Sequence, residues 1–232
     1  GFTDVLLDRG ARRVYAVDVG YGQLLWRLAS DPRVAVMDRT NARNLTSADF
    51  DEPVSLAVCD ASFISLRLIL PAVDAFLSPD GEAVVLIKPQ FEAGRERLGA
   101  HGVVRDPLVH ATILREVTGF AEAETGLFVS DLTWSPILGP EGNMEFLCRL
   151  TREDRGFLPD LDPEALVRDV ATIVVQVNGK VRARLERPAG LSREELERSV
   201  VSDPTVQEKL AGKAVLKVIA VPDRLVNIVV KG

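Results

Sequence analysis

The sequence predicts an α/β fold: a doubly wound, mostly parallel β-sheet with an antiparallel edge, followed by a small α+β domain. Residues 14–150 alternate short β-branched runs with helical stretches, which is typical of parallel strands joined by crossover helices. The last two of these strands follow each other without a helix between them. After residue 150 the pattern changes to two hairpins separated by a helix.

The first part contains six predicted strands and four predicted helices. The strands are 14–18, 34–38, 54–60, 83–88, 128–134 and 144–150, and the helices are 3–9, 21–30, 64–77 and 106–125. Residues 78–81, Ser-Pro-Asp-Gly, are a turn cluster that closes the third helix. Because residues 135–143 show no helical pattern, the fifth and sixth strands are expected to pair antiparallel.

The second part begins after a charged stretch at 151–156 that is typical of a linker. Asn178-Gly179 lies between two alternating runs and predicts a hairpin with a type I′ turn. Ser192 and Glu195 have the spacing of a capping box and predict the start of a helix. A second hairpin is expected around 222–224. The predicted domains are therefore 1–150 and 157–232, joined by the linker.

Composition limits the possible classes of protein. The chain has 232 residues, of which 47% are hydrophobic and 27% charged, and this excludes disordered, collagen-like and coiled-coil proteins. No apolar run approaches the ~20 residues that cross a bilayer. Cys59 and Cys148 lie far apart in apolar runs, so a reducing cytoplasm is expected and a disulfide framework is not. Two histidines and two cysteines are too few for a zinc cluster.

Charge is distributed unevenly along the chain. Residues 151–232 carry 14 Lys+Arg and 13 Asp+Glu, so their net charge is about +1, whereas residues 1–150 carry about −7. Neither part is strongly basic, so any RNA contact must come from local patches. The chain opens on Gly1 without a signal peptide or an initiator Met, which suggests a fragment or a processed piece.

Polar residues close four of the predicted strands, where ligands of an open parallel sheet bind. They are Asp18, Asp38, Asp60 and Lys88. A carboxylate at the tip of the second strand of such a sheet usually holds a nucleoside ribose. Gly20 and Gly22 resemble a nicotinamide fingerprint only weakly, because Leu25 replaces its third glycine. The opening 1–3, Gly-Phe-Thr, precedes a helix and is the better anion-binding turn.

Seven sequence blocks occur in order with the spacing of a known family. They are 1–7 (GFTDVLL), 15–24 (YAVDVGYGQL), 38–43 (DRTNAR), 60–66 (DASFISL), 88–95 (KPQFEAGR), 102–107 (GVVRDP) and 139–147 (GPEGNMEFL). Over about residues 1–150 the chain resembles the TlyA (hemolysin A-like) ribosomal RNA methyltransferases.

The resemblance implies a Rossmann-like, S-adenosylmethionine-dependent 2′-O-methyltransferase of the FtsJ-like class that acts on a cytidine ribose in ribosomal RNA. Of the Lys-Asp-Lys-Glu tetrad of that class, three catalytic members map to Asp60, Lys88 and Glu145. The implied cofactor-binding residues are Gly1, Phe2, Thr3, Asp18, Val19, Asp38 and Asp60. The first tetrad lysine, an S4-like RNA-binding domain, part of the cofactor loop and the first strand of the sheet are expected upstream of Gly1. Without that strand, the strands at 14–18 and 54–60 each leave an edge unpaired.

The implied chemistry suits these residue types. A ribose hydroxyl is a poor nucleophile, so a lysine held among carboxylates can take its proton or stabilise the developing alkoxide during in-line methyl transfer. Flanking carboxylates favour the charged form of a lysine, which makes an electrostatic and orienting role for Lys88 the better supported of the two.

Residues 157–232 resemble the C-terminal domain of bacterial leucyl-tRNA synthetase. The matching blocks are 172–182 (TIVVQVNGKVR), 192–196 (SREEL) and 217–230 (KVIAVPDRLVNIVV), and 158–167 resembles the segment that tethers that domain. The resemblance implies RNA binding without catalysis. Lys180, Arg182 and Arg184 alternate with apolar residues and are expected on one strand face, where they could contact phosphates or simply be solvated.

The expected function is therefore ribose methylation of ribosomal RNA in the cytoplasm, with ribosomal RNA or ribosomal subunits as partners, transfer RNA as a further partner of the C-terminal domain, and neither a membrane nor a metal. Two alternatives remain. Residues 157–232 alone act as a tRNA-binding module beside a vestigial methyltransferase domain, or the join is an artefact of gene assembly or cloning. Trp26, Trp134 and both cysteines are expected in the core, and His101 and His110 on the surface.

Overall fold

A computed structural model of the chain describes residues 1–99, 102–139, 141–157, 161, 170–210 and 212–231. The chain divides into two compact units. The larger unit comprises 1–136 and 144–161, and the smaller unit comprises 137–143 and 162–232. His101 and most of the segment 158–167 lie outside the described residues.

The larger unit alternates strands and helices. Its strands are β1 (Val14–Val17), β2 (Val34–Met37), β3 (Val54–Cys59), β4 (Leu77–Ile87), β5 (Phe128–Trp134) and β6 (Phe146–Thr151). Its helices are α1 (Phe2–Asp8), α2 (Trp26–Ala29), α3 (Leu70–Phe76), α4 (Pro89–Glu92) and α5 (Pro107–Glu124). Short 3-10 turns lie at 42–44, 47–49, 66–68 and 95–97.

The strands of the larger unit form two separate groups. Parallel β1 and β2 form one pair, and the other four strands have the order β3-β4-β6-β5. β3 pairs parallel with β4, whereas β6 pairs antiparallel with β4 and β5. The predicted α/β sheet with an antiparallel edge is confirmed, and so is the separation of β1 from β3. Each of these two strands keeps one edge without a strand partner in the described residues.

The buried side chains of the larger unit correspond to its two groups of strands. The main core lies between the four-stranded sheet and α5, where Ile87, Ile113, Leu114 and Phe146 are almost fully buried. A smaller cluster formed by Leu7, Val14, Leu28 and Val34 packs α1 and α2 against β1 and β2.

Several predicted elements are wrong in detail. The helix expected at 21–30 is confined to α2, because Gly22 takes a left-handed φ of +67° and its N–H is held by the Asp38 side chain. Residues 78–81 belong to β4 and do not form the predicted turn. Trp26 and Trp134 are 82% and 53% exposed, so neither is a core residue. His110 is buried on α5, where it stacks edge-on against Phe146, and is not a surface residue.

The smaller unit is an α+β sandwich with one covered sheet face. Its strands are β7 (Val170–Val177), β8 (Lys180–Pro188), β9 (Val215–Val221) and β10 (Leu225–Val230), in the order β8-β7-β10-β9, and its helices are α6 (Arg193–Val201) and α7 (Pro204–Leu210). Both predicted hairpins are confirmed, with Asn178 and Gly179 at φ +49° and +78°. The capping box of Ser192 and Glu195 is also formed. The second helix and the parallel pairing of β7 with β10 were not predicted.

Candidate active site

Lys88 lies between two acidic groups at the strand tips of the larger unit. Because β3 and β4 run parallel with Cys59 opposite Val85, Asp60 and Lys88 leave the sheet at the same edge. Lys88 Nζ lies 2.6 Å from Asp60 Oδ1 and donates to Ser62 Oγ at 3.1 Å. The lysine side chain is 11% exposed and the Asp60 side chain 53%, so this ion pair opens to solvent on the carboxylate side only.

Glu145 joins this pair from the neighbouring antiparallel strand. It immediately precedes β6, whose Phe146 is opposite Ile87, the last residue of β4. Glu145 is 8% exposed, and burial raises the pKa of its carboxyl, while the charge of Lys88 and a 3.5 Å hydrogen bond from Gln90 act in the opposite direction. The structure therefore brings together the three residues predicted to be catalytic.

An exposed aromatic residue borders the same group. Phe63 is 90% exposed and has a φ of +63°, a conformation that bulky residues adopt only when their surroundings impose it. Its ring lies 5.0 Å from the ring of Phe91, over which Lys88 Nζ is positioned at 6.0 Å. Phe63 could not be assigned a function from the sequence, because nothing in the residue pattern distinguishes an exposed phenylalanine from a core one.

Glu92 fixes the loop that carries Ser62 and Phe63. Its buried carboxylate accepts hydrogen bonds from Ser65 Oγ at 2.6 Å and from the Leu66 N–H at 2.7 Å, and Arg67 lies 3.6 Å away. These contacts connect α4, which follows Lys88, with the loop that follows Asp60. Glu92 was also not singled out in the sequence, since its position depends on the loop geometry.

The predicted cofactor residues lie around a second feature, a cavity of about 760 Å³. Its lining contains five of the seven: Phe2, Thr3, Asp18, Asp38 and Asp60. Gly1 and Val19 do not line it; the Gly1 carbonyl accepts hydrogen bonds at the start of α1, and the Val19 side chain is 71% exposed. The free edges of β1 and β3 also line the cavity, at the position where the resemblance places the first strand of the family.

Asp18 and Asp38 are adjacent at the tips of β1 and β2. One oxygen of Asp18 accepts from the Gly20 N–H at 2.7 Å, and one oxygen of Asp38 accepts from the Gly22 N–H at 2.9 Å. The second oxygen of each carboxylate has no hydrogen-bond partner among the described residues. These two carboxylates therefore shape the loop between them and still present acceptors to the cavity.

The three cations predicted on one face of β8 are separated by a β-bulge. Val175 is opposite Ala183 and Gln176 is opposite Val181, so Arg182 is the extra residue. Lys180 is consequently opposite Val177, which packs on the helix-covered core. Arg184 is opposite Val174, on the other face of the sheet. The expectation of a shared face is wrong, because a bulge reverses the alternation of side chains.

Cys59 directly precedes Asp60 and lines the cavity, whereas Cys148 is buried in β6. Burial raises the pKa of the Cys59 thiol to about 11 and that of the Cys148 thiol to about 12, so both stay protonated near neutral pH. Within the described residues no helix is long and apolar enough to cross a bilayer. Those residues also contain no group of three or more His, Cys, Asp or Glu side chains placed to hold a metal ion.

Comparison with known proteins assigns a family to the larger unit. Residues 1–152 match the model of the FtsJ-like methyltransferase family. The chain is 53% identical over 151 residues to the rRNA methyltransferase YqxC of Bacillus subtilis. It is 50% identical over 156 residues to the 16S/23S rRNA (cytidine-2′-O)-methyltransferase TlyA of Mycobacterium tuberculosis. These matches cover 65% and 67% of this chain but 53% and 58% of the relatives, so the chain spans about half the length of the curated relatives it matches.

Solved structures and a second group of relatives complete the comparison. A Lactococcus lactis protein described as a hemolysin superposes with a TM-score of 0.66 at 46% identity, covering 71% of this chain and 79% of that one. The C-terminal region matches leucine–tRNA ligases, including that of Lawsonia intracellularis, at 49% identity over 71 residues, which is 31% of this chain and 8% of the ligase. The family model and the geometry of the strand tips agree, and the chain belongs to the FtsJ-like methyltransferase family.

Proposed function

We propose that the larger unit transfers a methyl group from S-adenosylmethionine to the 2′-oxygen of a cytidine ribose in ribosomal RNA. The observation that carries this proposal is the arrangement of Asp60, Lys88 and Glu145 at one sheet edge, in a chain that resembles rRNA 2′-O-methyltransferases. Ribosomal RNA or a ribosomal subunit is the substrate, and the cytoplasm, where ribosomes act, is the compartment.

Lys88 acts in this proposal as an orienting and electrostatic group. Its 2.6 Å contact with Asp60 holds the ammonium in place, and the N–H groups of the ammonium can donate hydrogen bonds to the ribose oxygen. The ammonium would stabilise the negative charge that develops on this oxygen as its proton leaves. Glu145 is the better proton acceptor of the two carboxylates, because burial raises its pKa.

The cavity beside Asp18 and Asp38 fits the methyl donor by its chemistry. Two carboxylate oxygens without partners among the described residues can accept from ribose hydroxyls, and Phe2 and Leu24 provide apolar lining for a nucleobase. S-adenosylmethionine, when bound, supplies the electrophilic methyl group. Thr3 and Asp60 also line the cavity and complete the proposed contacts there, whereas the contacts predicted for Gly1 and Val19 lie outside its lining.

RNA contacts are proposed in both units. In the larger unit, the exposed ring of Phe63 offers an unstacked base a surface on which to stack, beside Lys88. In the smaller unit, Lys180 and Arg182 contact phosphates, and the match to leucine–tRNA ligases favours transfer RNA as a further partner. The domain limits 1–150 and 157–232, with a linker at 151–156, remain part of this proposal.

Titration calorimetry with S-adenosylmethionine tests the cofactor assignment. We expect Asp38→Ala to weaken binding about tenfold or more, because it removes a charged acceptor, while Asp51→Ala, an exposed aspartate outside the cavity, leaves affinity unchanged. The titration is repeated with a chain that carries the upstream segment of a relative. Binding by the extended chain alone would place essential contacts upstream, and binding by neither would refute the proposal. If the chain then still retained transfer RNA, the tRNA-binding alternative would replace it.

A further inference from the structure

The smaller unit contains a basic pocket of about 310 Å³ on the helix-covered side of its sheet. Four cations and three other residues line it: Lys180, Arg182, Lys209, Lys213, Val177, Asn178 and Val230. Lys180 and Arg182 come from the start of β8, Lys209 from the last turn of α7, and Lys213 from the turn that follows it. Among the described residues, no carboxylate is part of this lining.

The bulge in β8 creates this arrangement. In a regular hairpin, Arg182 would be opposite Gln176, and Lys180 would lie on the same face as Arg184. The extra residue places Lys180 opposite the core-facing Val177 instead, and so turns the first part of β8 towards α7. The pocket therefore unites cations that are far apart in the sequence.

The floor of the pocket is held by hydrogen bonds between asparagine side chains and the backbone. The Asn178 amide donates to the Val230 carbonyl at 3.3 Å, and its oxygen accepts from the Val230 N–H at 3.0 Å. The Gly179 N–H donates to Asn227 at 3.1 Å. These bonds connect the β7–β8 turn to β10, so the pocket is formed before a ligand arrives.

The four cations differ in their pairing from Arg187 and Arg193 of the same unit. Arg187 lies 2.5 Å from Asp203, and Arg193 lies 3.1 Å from Glu197. In contrast, none of the four pocket cations has a carboxylate within 4.0 Å in the described part of the chain. Like charges that lie close together without carboxylate partners repel one another. A bound polyanion neutralises these charges, and its binding is further favoured because it releases the polyanion's own counterions.

We propose that this pocket is the phosphodiester-binding site of the smaller unit and that it holds the backbone of an RNA. The inference rests on the proposed RNA binding of this unit and replaces the strand-face site with a pocket formed by β8, α7 and the turn after α7. Because lysines and arginines without base-reading partners recognise phosphates, binding depends on charge and salt and has little dependence on sequence.

Charge-reversal variants of the full chain test the assignment, with fluorescein-labelled transfer RNA as the probe and anisotropy as the readout. Lys209→Glu and Lys213→Glu each weaken binding about tenfold or more, and each lowers the slope of log affinity against log salt by about one. Lys217→Glu is the matched control: it is an exposed lysine of β9, opposite Val229 on the open face, and it changes affinity no more than about twofold.

The outcomes distinguish a failure of the proposed RNA binding from a failure of the pocket assignment. If the wild-type chain does not bind the RNA, the proposed RNA binding fails, and the pocket with it. If binding survives in the pocket variants but is lost in Arg184→Glu, RNA binding stands and the pocket assignment is wrong. Inorganic phosphate is tested as a competitor of the labelled RNA. If it displaces that RNA as well as unlabelled RNA does at the same concentration of phosphate groups, the pocket is a site for the free anion and the RNA assignment is overturned. Thermal midpoints of all variants should match, because every substituted residue is exposed.

Discussion

Replacing Lys88 by methionine removes the cation that the structure places between Asp60 and Glu145 while keeping an unbranched side chain of similar length. We expect methyl transfer to ribosomal RNA to fall about 10²- to 10³-fold, the usual loss when one donor that stabilises a developing negative charge is removed. Lys88→Arg keeps the charge but changes the donor geometry and should retain part of the activity.

The stability cost of this change can be worked out from the structure. At 2.6 Å, two unit charges in a water-like dielectric attract by about 1.6 kcal/mol. Because the Asp60 side chain is 53% exposed and the ordered lysine loses entropy, the net contribution of the pair is about 1 kcal/mol or less. In a domain of this size, that corresponds to a fall of about 2–4 °C in thermal midpoint. An activity loss of two or more orders of magnitude therefore cannot be explained by unfolding.

The assay measures transfer of a tritiated methyl group to purified ribosomal RNA, in a chain carrying the upstream segment of a relative, with circular dichroism for the thermal midpoint. A carbon-13 label on glutamate adds an independent readout. The charge of Lys88 lowers the pKa of Glu145, so the Glu145 carboxyl should titrate at higher pH in the methionine variant. Activity within threefold of wild type in Lys88→Met would refute the site assignment, and an unchanged Glu145 titration would refute the electrostatic coupling.

Three further predictions concern neighbouring groups. Glu145→Gln should abolish methyl transfer but raise the thermal midpoint by a few degrees at neutral pH. Burial raises the pKa of Glu145 in the folded state, so ionisation of this carboxyl destabilises the fold as pH rises through that pKa. The gain in thermal midpoint should vanish below pH 4.5, the ordinary pKa of a glutamate carboxyl. Burial lowers the pKa of His110 from 6.5, so the contribution of the neutral imidazole to stability is complete above pH 6.5. It is lost as pH falls below that value, by at most about 1.4 kcal/mol per pH unit, and urea denaturation of His110→Gln should show a weaker pH dependence between pH 7 and 5 than the wild type. Phe63→Gly should weaken RNA binding by about 1–3 kcal/mol in an anisotropy titration, yet leave the thermal midpoint unchanged or higher, since glycine adopts a positive φ without strain.

The features of the fold that depend on local sequence were predictable. Alternation predicted the strands, and Asn178-Gly179 predicted the first turn of the smaller unit, because two adjacent positive φ angles strongly restrict residue choice. The helix expected at 21–30 failed for a non-local reason: the side chain of Asp38, 16 positions away from Gly22, binds the loop that should have started it. Periodicity contains no information about such a contact.

The residues of the candidate site also fall into those that the local sequence could indicate and those that it could not. Asp60 and Lys88 could be singled out because each directly follows a strand. Glu145 comes from the antiparallel strand and is 85 positions beyond Asp60 in the chain, so only the family resemblance brought it into the site. Phe63 and Glu92 were not assigned because their roles depend on a strained backbone and on complete burial, which no residue pattern records.

Charge explains why the phosphate contacts are proposed in the smaller unit, apart from the site of methyl transfer. Residues 1–150 carry a net charge of about −7, and the cation of their site is already paired with a carboxylate at 2.6 Å. Such a unit repels a polyanion over the distances at which electrostatic steering acts. The smaller unit is nearly neutral in total, yet four of its cations line one pocket and have no carboxylate partner among the described residues. The proposed RNA binding of this nearly neutral domain therefore depends on the local concentration of cations in the pocket, which the net charge of the domain does not reveal.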